Sequence, residues 1–144
     1  DFIRVHATGI KLESKLGEFV RDGSFTLQSE EEIVVEQKLF LQQLHEMDSY
    51  YVNEHIVNLL LEIRGNLRTE KQEMLSTIDR FLTLPPDERL LFAVGRRLNI
   101  FFRLDDLKKP KLHQKAGESL QQILSKNPHV DFAALCNYVR QSQI

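Results

Sequence analysis

A single cysteine among 144 residues, Cys136, excludes an intramolecular disulfide and fits a reducing compartment. No apolar run approaches the roughly 18 residues needed to cross a bilayer. A signal-peptide pattern is missing too, because Arg4, Lys11, Glu13 and Lys15 interrupt any apolar stretch at the start. The chain opens on Asp1 instead of Met, and the expectation is a piece excised from a longer protein. No excess of one charge stands out: the net charge is −2, which does not predict nucleic-acid binding by the whole surface. Strand-like alternation is lacking, no Asn-Gly or Asp-Gly turn joins two β runs, and no fixed-period repeat or low-complexity segment is present.

Catalytic patterns are also missing. The histidines, His6, His45, His55, His113 and His129, include no pair four apart around a glutamate, so no metal site is expected. Gly95 and Gly117 sit in no phosphate-cradling loop, and no cofactor is expected. Asp105-Asp106 reads as a polar turn more than an acid–base pair. Cys136 falls on an apolar helical stripe with no cation cluster beside it to lower its pKa, which makes it a buried structural thiol. The expectation is a domain that is not an enzyme.

What remains is an ordinary globular composition, 42% apolar and 28% charged, long enough for one hydrophobic core. The periodicity is helical almost throughout. Leu12, Leu16, Phe19 and Val20 share a face, ended by Asp22-Gly23. Ser29 and Glu32 form a capping box for a helix burying Ile33, Phe40, Leu44 and Met47, opened by acids that suit the helix dipole. Val52, Ile56, Leu59, Leu60, Ile63 and Leu67 make the cleanest amphipathic pattern in the chain. Thr69 and Gln72 suggest a second capping box before a helix using Leu75, Ile78, Phe81 and Leu82. Pro86 suits the first turn of the next helix, expected to break at Gly95 and resume with Leu98, Phe101, Phe102 and Leu104. Pro110 punctuates the connector to a helix carrying Leu112, Ala116, Leu120, Ile123 and Leu124. Asn127-Pro128 reads as the start of a last helix with Phe132, Leu135, Cys136 and Val139.

These elements predict an all-α domain, a compact bundle of about seven helices packed antiparallel and at right angles. Its expected parts are added N-terminal helices at 1–49, a core at 50–126 and a C-terminal helix at 127–144, the last a candidate for self-association. Arg89, Arg96, Arg97, Arg103, Lys108, Lys109, Lys111 and Lys115 cluster late in the chain, near Phe101 and Phe102. They read as a solvated face over core phenylalanines, with nucleic-acid contact or the steering of an acidic peptide as alternatives.

Residues 50–126 resemble the integrase-binding domain of LEDGF and of the hepatoma-derived-growth-factor-related proteins. That domain belongs to a wider class like the N-terminal domain of elongation factor TFIIS. The resemblance rests on EIRGNLRTE, LSTIDRFLTL and LHQKAGESLQQIL. It covers about half the chain, with patterns more than signatures. It implies a nuclear, chromatin-associated adaptor whose PWWP domain, which reads methylated nucleosomes, lies outside this segment. The implied partners are short disordered acidic-aromatic motifs of chromatin or transcription proteins, a chromatin kinase among them, gripped by two interhelical loop tips. The first tip corresponds to 67–70, with Leu67, Arg68, Thr69 and Glu70; the second to 104–107, with Leu104, Asp105 and Leu107. The family has an apolar residue and an aspartate at the first tip, where this chain has Thr69 and Glu70. The second tip is longer and more acidic than the family's. Leu104 and Leu107 either take aromatic anchors or lid the core.

Overall fold

The structure, a computed structural model, describes residues 1–45 and 47–143. The chain runs β1 (Phe2–Arg4), α1 (Lys15–Arg21), α2 (Glu30–Gln43), β2 (Tyr50–Val52), β3 (Arg64–Asn66), α3 (Lys71–Leu82), α4 (Pro86–Arg97), a 3-10 turn (Leu104–Lys108), α5 (Pro110–Lys126) and α6 (Phe132–Gln141). It is therefore mostly helical, with six α-helices among the described residues and a small sheet that the all-α expectation did not include. β1 pairs parallel with β2, placing Ile3 opposite Tyr51, and β2 pairs antiparallel with β3, placing Tyr51 opposite Gly65. The parallel pair is closed by the α1–α2 crossover, since parallel strands cannot be joined by a tight turn.

Several helices form where the spacing puts them. The Ser29–Glu32 capping box is present, with the Ser29 hydroxyl accepting from Glu32 N–H and the Glu32 carboxylate from Ser29 N–H. Pro86 and Pro110 each open a helix, where the missing N–H leaves no donor unmet. α3 buries Met74, Ile78 and Phe81; within the core Phe81 meets Phe92 at a tilt, and Phe92 stacks on Phe101. α2 packs on α3, and α4 packs on both α5 and α6.

The largest departure is at 52–67. No helix forms there: the stretch ends β2, loops through 53–63 and enters β3. Its apolar residues are buried all the same, Val57, Leu59, Leu60, Ile63 and Leu67 among them. A buried loop ordinarily strands backbone polar groups. Here the carbonyls of 56–60 all accept from side chains. Arg96 reaches Ile56, Asn58 and Leu59, Arg97 reaches Val57, and Asn53 reaches Leu60. Gly65 then sits at φ +155, a conformation that costs glycine least, with Glu70 packed where a side chain would go.

Smaller departures share this tertiary origin. α4 is not broken at Gly95 but runs through to Arg97, because that glycine lets the Phe101 ring lie against the helix where a Cβ would collide. Asn99, at φ 56, reverses the chain, so the separate helix expected over 96–104 is absent. α3 is capped at Glu70 with no side-chain bond, since the Thr69 N–H is held by the Asn66 side chain. α6 starts at Asp131, whose carboxylate accepts from Ala133 and Ala134, while Asn127 closes a turn around Pro128. α2 turns Val34, Gln37 and Leu41 inward, leaving Ile33 half-buried and Phe40 and Met47 exposed.

Candidate binding cavity

Neither expected tip is an interhelical loop with free apolar side chains. Leu67 and Leu104 are each 4% exposed and belong to the main core, and Leu107 packs against it. Thr69 and Asp105 are exposed, and the Glu70 carboxylate folds back to accept from Asn66 N–H at 2.6 Å. Asp105 pairs with Lys108 and Arg80, both at 2.7 Å, and these hold its carboxyl below the usual range. The tips stand at opposite ends of α3: Glu70 caps its start, while Arg80, in its last turn, holds Asp105. Ten helical residues separate these points by about 15 Å. Glu62 accepts from the Leu104 N–H; burial, more than its other neighbours, raises its carboxyl above the usual value.

The basic cluster also divides. Arg96 and Arg97 are buried, Arg89 pairs with Glu31, Lys108 with Asp105 and Lys109 with Asp106. Arg103, Lys111 and Lys115 are left without an ion pair among the described residues. Phe101 is core, whereas Phe102 is 48% exposed beside the Arg96 guanidinium.

A different site comes from the N-terminal half. A cavity of about 440 Å³ opens between the segment following β1, the α1–α2 region and the 53–59 loop. Its apolar wall includes Val5, Leu16, Leu27, Ile33 and Phe40. Ile33 and Phe40 thus line a cavity in place of the core position their spacing suggested. Amide side chains shape the inner wall. Asn58 accepts from Ala7 N–H and donates to the carbonyls of Val5 and Asn53, and Gln37 donates to the Tyr51 hydroxyl. His6, Thr8 and Glu36 line it from exposed positions, and His6 stacks on His55 with ring centres 4.2 Å apart.

The buried end holds Arg140, from α6, at 2% exposure. Its guanidinium pairs with Glu30, which also receives a two-pronged contact from Arg97 at 2.7 and 2.9 Å. Two buried guanidiniums thus contact this carboxylate, and a third, Arg96, lies beside them without a bond to it. Burial, then Arg97, pushes Arg96 down to about 10, against a smaller pull from Glu30, so it stays charged at neutral pH. Arg97 Nη1 and Arg140 Nε have no hydrogen-bond partner among the described residues. Cys136 lies nearby; burial and then Glu30 push its thiol up to about 12, leaving it a protonated core side chain.

α6 is woven into this site. The Asn137 side chain accepts from Ile10 N–H and donates to Ile10 C=O, clasping the N-terminal segment. Deleting 127–144 would therefore remove core contacts as well as any self-association surface. The sequence signal missed was the Arg96-Arg97 pair within an apolar helix. Seven consecutive α4 residues, 91–97, are buried, so those arginines were never a solvated face.

No family model matches the chain, and no curated protein or solved structure matches it either. No helix among the described residues is long and apolar enough to cross a membrane.

Proposed function

We propose that this domain is a protein-interaction module that seats a short linear segment of a partner in the cavity between the N-terminal segment and α2. The observation that carries this reading is the cavity. Its volume falls within the range of about 300–1,000 Å³ typical of ligand sites, and it combines apolar walls with a few fixed polar groups. A disordered partner gives up ordering entropy on binding, so micromolar affinity, about 8 kcal/mol, is the natural scale. The nuclear setting, and a motif from a chromatin or transcription protein as partner, enter this proposal from the sequence resemblance. The nucleic-acid alternative draws less support, because most of the cations in the basic cluster are buried or paired.

The test is selection of short random peptides on phage against the whole chain, followed by titration of the enriched peptides. Phe40→Glu places an acid on the apolar wall at a 42% exposed position, so folding is largely spared. The expected result is lost binding with an unchanged melting curve. Thr69→Ala with Asp105→Asn tests the tips by the same measurement. Binding that survives Phe40→Glu but falls with the tip variants moves the site to the tips and refutes the cavity assignment.

A further inference from the structure

We infer that the segment held in this cavity presents an aspartate or glutamate side chain flanked by an apolar residue, and that Arg140 reads that carboxylate. The inference rests on the interaction-module reading and adds the chemistry of the occupant. Two buried guanidiniums, Arg97 and Arg140, share the buried Glu30 carboxylate, with a third, Arg96, held beside them by carbonyls, an arrangement that leaves positive charge uncompensated among the described residues where desolvation is costly. The three are not equally provided for. Arg96 is surrounded by the carbonyls of Ile56, Asn58, Leu59 and Phe101. Arg97 has the forked Glu30 contact and the Val57 carbonyl, with its Nη1 unmet among the described residues. Among the described residues Arg140 has only its share of Glu30, and its Nε–H is closed off from water without a partner.

Arg140 is also the member of the three that lines the cavity. A second carboxylate arriving there would bring the cluster to three cations and two anions, in a setting where a charge-assisted hydrogen bond is stronger than in water. The apolar wall selects the flanking side chain. Glu36, on the exposed side, disfavours a second acid there, so the motif that fits carries its acid inward and its apolar residue against Leu27, Ile33 and Phe40.

Each enriched peptide is then titrated beside a copy in which its Asp or Glu is replaced by the matching amide, Asn or Gln. The acid form should bind at least about tenfold more tightly, the usual scale for a hydrogen bond to a charged group. In Arg140→Met that difference should vanish, and Arg140→Lys should restore part of it. Because Arg140→Met also disturbs Glu30, a second measurement uses the unaltered protein. The arginine Nε–H nuclear magnetic resonance signal should shift on adding the acid peptide and stay in place with the amide peptide. Enriched peptides lacking an acid, equal binding of acid and amide forms, or an unmoved Nε–H signal would overturn the inference while leaving a peptide-binding module standing. Failure to enrich any peptide overturns both.

Discussion

The loop at 53–63 and helix α3 are close in the chain and both bury an apolar set, but their backbone carbonyls end in different places. Along α3 they meet amides within the helix. Along 56–60 they meet Arg96, Arg97 and Asn53. The helix keeps its own hydrogen bonds wherever it packs; the loop exists only against α4. The difference teaches that α4 organises the N-terminal half. Its two arginines hold the loop on one side and, through Glu30 and Arg140, the start of α2 and the last helix on the other.

The comparison is most severely tested by Arg96→Met. It leaves three loop carbonyls and that of Phe101 without their donor, at roughly 1–3 kcal/mol for each buried group left unmet. A loss on the order of 5 kcal/mol is expected in urea unfolding, enough to abolish a cooperative transition in a protein of ordinary stability. An exposed change on α3, Glu73→Ala, should stay within about 0.5 kcal/mol. Equal effects would show that the loop does not depend on α4.

Next comes Glu30→Gln, which removes the carboxylate that Arg97 and Arg140 share. The expected cost is about 3–5 kcal/mol by the same measurement. A smaller cost would mean that the cluster tolerates its excess charge, weakening the case for an acidic occupant. A pair of helical glycines sharpens the contrast within the regular part of the fold. Gly95→Ala forces a Cβ into the Phe101 ring and should destabilise by about 1–3 kcal/mol. Gly117→Ala, with open space around it in α5, should stabilise by about 0.5–1 kcal/mol.

The smallest effect is in pH. Partial desolvation, then the charges of His55 and Arg4, hold the His6 pKa below its ordinary 6.5. The unfolded chain therefore takes up this proton first as pH falls. Stability associated with the neutral ring is present above pH 6.5 and is lost as pH drops through the lower folded value. His6 is exposed, so the shift in melting temperature should be slight, and His6→Gln should remove it. An unchanged profile in that variant would take the His6–His55 stack out of the account.

Much of the fold was legible in the chain. The Ser29–Glu32 box, the prolines opening α4 and α5, and the apolar stripes of α3, α5 and α6 are local devices, acting over one or two turns. The site was less legible. Leu67 and Leu104 each close an apolar pattern, and the loop tips that the resemblance implies made them candidates for partner contact, yet both are core. Ile33 and Phe40 fit a helical pattern, which made them look like core, yet they line the cavity. Spacing reports which residues share a side of an element, not what stands opposite that side. Arg140 carried no sequence signal at all: the carboxylate it pairs with lies 110 residues away.

By itself the sequence determined much of where apolar burial occurs and where α2, α4 and α5 start, because apolar periodicity and capping are properties of neighbours along the chain. Even at 52–67 it marked the right residues for burial. Only the tertiary structure decided the backbone those residues adopt, because Arg96 and Arg97 supply the donors that a helix would otherwise have had to supply for itself. The same long-range charge cluster decided where a partner segment fits.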